Sequence, residues 1–180
     1  MTTCRPKTSP KVVISIDPGI QTTGFAIYRG AELVEYGKIK TRTSLPEPLR
    51  IHAIYKELRD VMARFSVEEA AIEHFIAFYT SEDSEIVSGP DLSRFPGLVA
   101  PKKKRRFRHD RKRVNPRSMF LLKAAQTAAQ LAAIEHGATV YLYTVAEWKG
   151  DSRRSKKSII DAVRLIYGVD VKNDNVADAI

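Results

Sequence analysis

Three positions along the chain carry carboxylates in settings suited to binding a metal ion. Asp17 ends an apolar run before a Pro-Gly turn, Glu73 ends a second apolar run, and the C-terminal segment contains Asp174 and Asp178. Clustered carboxylates persist mainly where a hard cation neutralises them, and Mg²⁺ (or Mn²⁺) suits such oxygen ligands. Two such ions about 4 Å apart can activate a water molecule and stabilise the leaving oxygen of a phosphodiester. The pattern therefore suggests metal-dependent hydrolysis.

Each position also has a plainer interpretation. Asp-Pro-Gly is a favourable β-turn sequence, so Asp17 alone is compatible with an ordinary turn. Glu73 alone is compatible with a surface acid, and Asp174 or Asn175 can cap a helix N-terminus. The metal site is favoured because all three positions occur in order, each at an element that a common sheet can bring together.

The elements that would position these side chains are predicted from apolar periodicity and turn residues. Strands are expected over residues 11–17, 24–29, 32–40, 70–73 and 138–144, and helices over 47–65, 118–136 (with its start at Asn115-Pro116) and 155–167. If the first and fourth strands are neighbours, their C-terminal ends bring Asp17 and Glu73 together. A further helix beginning near Asn175 can add Asp178 from above. This order predicts an α/β fold with a mixed central sheet flanked by helices.

Length and composition restrict the class of protein. The 180 residues suit a disordered tail over 1–10 and one folded domain over 11–180. The only cysteine, Cys4, allows no internal disulfide and fits a reducing compartment. No apolar run approaches the length of a membrane span or forms the core of a secretory signal, so no membrane association is expected.

The net charge of +9 is concentrated in one segment. Ten lysines and arginines but only one acid lie between Pro101 and Arg117, and removing them from the chain's 30 basic and 21 acidic side chains leaves 20 of each. All of this cluster except Arg117 lies in a non-periodic insertion over about 80–114. Such a patch indicates a nucleic-acid partner, although PKKKRR also fits a nuclear-import signal. The candidate DNA-binding residues here are Lys102, Lys103, Lys104, Arg105, Arg106, Arg108, Arg111, Lys112 and Arg113.

Three motifs together resemble the RuvC family of Holliday-junction resolvases, which belong to the RNase H-like superfamily. They are IDPGxxxTG at 16–24, AIEHF at 71–75 and NVADA at 175–179. The similarity covers 11–180 except the basic insertion. It implies an RNase H-like fold and a Mg²⁺-dependent endonuclease that resolves four-way DNA junctions, leaving 5′-phosphate and 3′-hydroxyl ends. By position it makes Asp17, Glu73 and Asp178 ligands of two ions.

The chain departs from the family pattern three residues before Asp178. The family has an acid or a histidine there, whereas this chain has Asn175. The amide oxygen of Asn175 can still coordinate a metal ion but brings no negative charge, and the neighbouring Asp174 offers a carboxylate instead. Both are candidate ligands, and we expect residual activity through one of them.

Basic residues near the last helices are candidates for catalysis and phosphate contact. The resemblance matches Lys149, after the fifth strand, and Lys157, at the start of the following helix, to lysines of the family. Neighbouring Arg153, Arg154 and Lys156 add charge, and a helix N-terminus binds phosphate through its free N–H groups. Solvated surface positions are the alternative.

Aromatic residues directly after Glu73 are candidates for contact with bases. These are Phe75, Phe78 and Tyr79, and in the family an aromatic residue at this place stacks on a base near the junction point. Stacking contributes about 1–3 kcal/mol per base. Packing in the core is the alternative, most of all for Phe75.

The helix over 118–136 is rich in small residues, with alanines at 124, 125, 128, 129 and 132. The family's equivalent helix packs at a twofold dimer interface, so the resemblance implies a homodimer, which suits a symmetric substrate. Small residues at this spacing equally suit packing onto the sheet.

The sequence thus predicts a structure-selective DNA endonuclease in the cytoplasm of a bacterial or phage-infected cell, or in the nucleus if the source is eukaryotic. A phage or mobile-element origin fits the basic insertion. Two alternatives stay open. One is a catalytically weak or dead junction-binding protein, motivated by Asn175. The other is an RNase H-like nuclease acting on RNA, such as the YqgF-type proteins, although Thr22-Thr23-Gly24 lacks the arginine usual before Thr-Gly in that group.

Overall fold

A five-stranded mixed sheet lies at the centre of the computed structural model, which describes residues 9–75, 115–144, 147 and 156–180. The strands are β1 (Val12–Asp17), β2 (Thr22–Arg29), β3 (Glu32–Lys40), β4 (Glu69–Glu73) and β5 (Thr139–Tyr143), in the spatial order β3-β2-β1-β4-β5. The helices are α1 (Glu47–Phe65), α2 (Pro116–His136), α3 (Lys156–Tyr167) and α4 (Asp174–Ala179). The predicted α/β class and mixed sheet are confirmed. The basic insertion over 80–114 and positions 1–8 of the expected tail lie outside the described residues.

Parallel pairing of β1 with β4 places two predicted ligands at one edge of the sheet. The pairing reaches Ile16 and Ile72, so Asp17 and Glu73 are the next residues of adjacent strands. The expected adjacency of the first and fourth strands is therefore confirmed. β2 begins at Thr22, two residues before the predicted start, because its first residues pair with the end of β3. The other strands differ from their predicted bounds by at most one residue at each end.

The two faces of the sheet carry different helices. Ile14 points into the main core, which α1 and α2 cover. Because alternate strand residues project to opposite faces, Ser15 and Asp17 project from the other face, and the matching register of β4 sends Glu73 to the same side. The short helix α4 packs on this side, against β1 and β2. There the Ser15 hydroxyl donates a hydrogen bond to the carbonyl of Ala179.

The alanines of α2 pack inside the chain. α2 contacts α1 and β4, and its small side chains let the helix approach both closely. This favours sheet and helix packing, rather than a dimer contact, as the reason for their spacing. The buried members are Ala125, Ala128, Ala129, Ala132 and Ala133. None of the helices in the described ranges is long and apolar enough to cross a membrane.

Replacing Gly24 tests how closely α4 must approach β2. A Cβ at this position would lie 2.0 Å from the carbonyl oxygen of Asn175 and 2.5 Å from its carbonyl carbon. Because backbone atoms cannot yield as the tip of a side chain does, we expect Gly24→Ala to lower the free energy of unfolding by about 1–3 kcal/mol. We also expect α4 to become accessible in limited proteolysis.

Gly168→Ala is the matched control for this change. Its Cβ would meet open space, while the positive φ of 70° adds backbone strain, so it should destabilise the protein with α4 still docked. Equal protection of α4 in Gly24→Ala and in the parent protein would contradict the prediction.

Candidate active site

Glu73 and Asp178 line the same cavity, beside the edge at which Asp17 ends β1. The cavity has a volume of about 210 Å³ and is also lined by Ser15 and Tyr143. Glu73 comes from β4 and Asp178 from α4, so two elements distant in sequence supply its carboxylates. The structure thus gathers the three carboxylates at one edge and one face of the sheet.

These carboxylates fit a hard cation in donor type, because Mg²⁺ takes oxygen ligands. Among the residues that the structure describes, no three Asp, Glu, His or Cys side chains converge closely enough to hold one ion together. Glu73 and Asp178 line one cavity, and Asp17 follows the last paired residue of the strand beside Glu73. A set of this kind is compatible with Mg²⁺, which keeps several waters and typically takes one or two carboxylates together with substrate phosphates.

Contacts at both ends hold α4 over the sheet. The side chain of Asn173 caps the helix by accepting a hydrogen bond from the backbone N–H of Val176 at 3.3 Å. At the other end, the Tyr28 hydroxyl donates a hydrogen bond to the carbonyl of Ile180. Burial raises the pKa of Tyr28, so this hydroxyl keeps its proton and remains a donor at neutral pH. Since α4 has only six residues, such tertiary contacts stabilise it rather than helix propensity.

Asn175 uses its side-chain amide to hold the start of β2. Its Nδ2 donates a hydrogen bond to the carbonyl oxygen of Thr22 at 2.9 Å. Because a carbonyl oxygen only accepts, the amide nitrogen must face it, and Oδ1 points elsewhere. A carboxylate at this position would have no proton to donate at neutral pH. The asparagine that departs from the family pattern therefore makes a hydrogen bond that an aspartate could not make.

Asp174 is engaged by Lys156 at the start of α3. The Lys156 ammonium donates a hydrogen bond to Oδ2 of Asp174. This bond lowers the pKa of Asp174 and raises the pKa of Lys156, to which the negative charges of Asp178 and Asp17 add smaller contributions. A candidate ligand and a candidate DNA-binding residue are therefore partners of each other.

The charge state of this pair follows from the directions of the two shifts. The pKa of Asp174 is depressed, so its share of the interaction is present above the ordinary range near 4 and is lost only as the pH falls through the folded value. The pKa of Lys156 is raised, so its share is lost only in strong base. Both groups are charged at neutral pH. Because the pair is largely exposed, it orients α3 and α4 more than it stabilises the fold.

Arg50 supports the turn that follows Asp17, a role that the sequence analysis missed. The side chain is buried on α1. Its Nη2 donates to the carbonyl of Ile20 at 3.1 Å, and its Nε donates to the hydroxyl of Thr41 at 3.0 Å. The signal in the sequence is that Arg50 stands four residues before Ile54, on the helix face that is otherwise apolar.

The chain leaves β4 toward α2. The backbone N–H of His74 still bonds the carbonyl of Tyr143 on β5 at 2.7 Å, whereas the N–H of Phe75 bonds the side chain of Gln126 at 3.2 Å. The ring of Phe75 is partly exposed and is not a member of the buried core. Gln126 is the second residue of the site that the sequence analysis missed, because a glutamine in an alanine-rich helix is normally expected at the surface.

The remaining predicted site residues divide by location. Lys157 lies exposed in the first turn of α3. The others lie outside the described residues: Phe78, Tyr79, Lys149, Arg153, Arg154 and the nine basic residues from Lys102 to Arg113.

The strand order β3-β2-β1-β4-β5, with helices on both faces, is that of an RNase H-like fold. A family model described as "Crossover junction endodeoxyribonuclease RuvC" matches residues 13–92. The match covers 80 of the 180 residues. Over this segment the chain is similar to the RuvC family.

Two curated relatives and one solved structure show the same similarity. The crossover junction endodeoxyribonuclease RuvC of Alkaliphilus metalliredigens is 25% identical over 179 residues, covering 94% of this chain and 88% of that protein. RuvC of Magnetococcus marinus is 38% identical over 69 residues, 36% of this chain and 38% of that protein. The structure of T. thermophilus RuvC in complex with a Holliday junction substrate superposes with a TM-score of 0.64 at 22% identity, covering 94% of this chain and 87% of that chain. At 22% identity, this superposition is evidence for a shared fold only.

Asn175→Asp restores the acid of the family pattern and removes the donor to Thr22. In the absence of metal we expect the free energy of unfolding to fall by about 1–3 kcal/mol, because the carboxylate faces the Thr22 carbonyl. With Mg²⁺ we expect a larger rise in melting temperature than in the parent protein, because an added carboxylate strengthens ion binding and binding stabilises the folded state.

Asn173→Asp is the matched control for this substitution. It adds the same charge two residues earlier, and aspartate replaces asparagine well as a helix cap. Melting temperatures are measured in EDTA and in Mg²⁺ for both variants. An equal Mg²⁺-dependent rise in the two variants would argue against an ion beside Asn175.

Proposed function

We propose that this protein is a Mg²⁺-dependent, structure-selective DNA endonuclease that resolves four-way junctions in the cytoplasm. The observation that carries the proposal is that Glu73 of β4 and Asp178 of α4 line one cavity, while Asp17 ends β1, the strand beside β4. Similarity to the RuvC family supports the substrate class. The RuvC structure of T. thermophilus noted above contains a Holliday junction.

The chain's own residues have distinct roles in this proposal. Asp17, Glu73 and Asp178 hold one or two Mg²⁺ ions, which when bound supply an activated water and neutralise charge on the phosphodiester. Lys157 and backbone N–H groups at the start of α3 bind a phosphate near the scissile bond. Phe75 offers a partly exposed ring for stacking on a base. Lys149 adds a second positive charge.

The fourth ligand position is filled by the neutral oxygen of Asn175 in this proposal, not by Asp174. Asp174 is committed to Lys156, whereas Asn175 contacts Thr22 through Nδ2 and keeps Oδ1 for another partner. The site then has three carboxylates and one amide. We expect weaker ion binding than in a site with four acids, together with retained activity.

The basic residues from Lys102 to Arg113, with Arg153 and Arg154, supply further phosphate contacts in this proposal. Their charge makes junction affinity fall with salt, because bound phosphates release counterions. They serve to hold the DNA arms and carry no part of the hydrolysis.

Cleavage of a synthetic four-way DNA junction tests the proposal directly. With Mg²⁺ or Mn²⁺, the parent protein should cut, and Asp17→Asn and Glu73→Gln should each lower the single-turnover rate by at least about 10³-fold, since metal-held charge supplies several kcal/mol to the transition state. Their junction affinity should be unchanged or higher, because removing negative charge beside phosphates does not weaken binding. Asp161→Asn, the same kind of change on an exposed acid of α3, should cut normally.

Other outcomes of this assay separate the two alternative functions. If the parent protein and Asp17→Asn bind the junction equally and neither cuts it, the protein is a junction-binding protein in which Asn175 has abolished catalysis. Preferred cutting of the same junction built from RNA would assign the protein to the RNA-processing alternative.

We also propose that the protein acts as a homodimer through the outer face of α2. Three large apolar side chains there are exposed, Phe120 at 64%, Leu131 at 49% and Ile134 at 61%. They recur at helical spacing on the side opposite the buried alanines. A symmetric pair of such faces would present two active sites to the two strands of a junction.

Ile134→Glu should weaken this dimer. Each twofold interface contains the residue twice, and burying one isoleucine contributes about 1.5–3 kcal/mol, so the dimer dissociation constant should rise at least about 100-fold. Sedimentation equilibrium measures the change. Leu165→Glu, at a residue 87% exposed on α3, is the control and should leave the association unchanged. If Leu165→Glu dissociates the dimer and Ile134→Glu does not, the interface lies on α3 instead of α2.

A further inference from the structure

Gln126 is a polar side chain at the centre of an apolar helix face. It is fully buried on α2, and its neighbours on that face are the core alanines, including Ala125 and Ala129. A buried amide is retained at a cost unless its hydrogen bonds serve the structure around it. Its contacts therefore indicate its role.

The carbonyl oxygen of Gln126 receives two hydrogen bonds. The backbone N–H of Phe75 donates to Oε1 at 3.2 Å, and the ammonium of Lys123 donates to it at 3.3 Å. Two donors facing one atom fix the orientation of the amide, because the reverse orientation would oppose donor to donor. Nε2 is buried, and within the described part of the chain it has no hydrogen-bond partner. The hydrogen bonds of the Gln126 side chain are thus made through its acceptor atom, Oε1.

The place of this acceptor in the fold is specific. Phe75 is two residues beyond Glu73, and the ladder between β4 and β5 ends at His74, whose N–H bonds Tyr143. The next backbone N–H along the chain is the one that Gln126 binds. Lys123 strengthens the arrangement because it also lies 3.3 Å from Nε2 of His74. The α2 helix therefore fixes the backbone at the point where the chain leaves the Glu73 strand.

We propose that Gln126 is a positioning residue that sets the path of the chain from Glu73 to Phe75, and with it the placement of the carboxylate and the stacking ring. This inference rests on the proposed function for its effect on cleavage. The structural part of the inference, the hydrogen bond from the Phe75 N–H to Gln126, does not depend on the proposed function. It also links the two faces of α2: the outer face presents the dimer contact, and the inner face holds the active-site strand.

The structural half is tested by hydrogen exchange of the Phe75 amide in the free protein, followed by NMR with ¹⁵N-phenylalanine. Gln126→Met keeps the length and loses the acceptor, so exchange at Phe75 should quicken about 10-fold or more. Gln126→Glu keeps an acceptor that Lys123 can pair, and should preserve protection. Gln130→Met, one turn further along α2, should behave as the parent protein. Unchanged Phe75 protection in Gln126→Met would overturn the proposal.

The functional half is tested by single-turnover cleavage of the four-way junction. Gln126→Met should lower the rate at saturating protein about 10- to 100-fold, as for a catalytic group displaced by a fraction of an ångström to one ångström. Gln126→Glu should recover most of it. A parent-like rate in Gln126→Met would overturn this half. If Gln126→Met fails to fold by circular dichroism, Gln126→Asn, which is too short to reach the Phe75 N–H, takes its place in both assays.

The two assays also separate this proposal from the function itself. If the parent protein cuts no junction, the proposed function fails, and the exchange experiment still decides whether Gln126 holds Phe75. If the parent cuts and Phe75 exchange responds while the rate does not, Gln126 is structural only, and the positioning role is wrong.

Discussion

The candidate site depends on direct backbone contact between α4 and β2. Asn175 lies so close to Gly24 that a single added methyl group would meet its carbonyl at 2.0 Å, and Gly24 is the residue that pairs with Asp17 across the sheet. The helix that brings Asp178 therefore rests on the residue beside the Asp17 carboxylate. A short helix has little stability of its own, so this close fit, with the cap from Asn173 and the bond to Tyr28, is what fixes the third carboxylate relative to the other two.

The sheet supplies the other half of the geometry. Parallel strands cannot be joined by a simple hairpin, so the pairing of β1 with β4 requires a crossover connection, of which α1 forms the part between β3 and β4. That crossover also carries Arg50, whose guanidinium binds the turn after Asp17. The element that makes the parallel pairing possible thus also holds the loop that the first carboxylate precedes.

The elements were largely predictable from the sequence, whereas their contacts were not. Apolar runs ending in Asp17 and Glu73 indicated strands, and the order of motifs indicated which strand ends meet, because both signals are local and periodic. The roles of Arg50 and Gln126 depend on which backbone groups lie opposite them, and periodicity contains no information on that. The alanines of α2 show the same limit, since one spacing suits two kinds of packing and only the position of α1 separates them.

Asn175 shows why an amide can be tolerated where a site of this kind usually has an acid. Four carboxylates around one cavity repel one another strongly in the free protein, and a fourth acid at this position would also face the Thr22 carbonyl. The amide removes both penalties and adds a hydrogen bond to β2. Asp174 then stands one residue away with its charge balanced by Lys156. Under the proposed function, the amide exchanges part of the electrostatic attraction for a cation for a firmer attachment of α4. Such a site would give up ion affinity while it keeps the positions of Asp17, Glu73 and Asp178, and those positions, more than the count of charges, would determine where a phosphodiester is attacked.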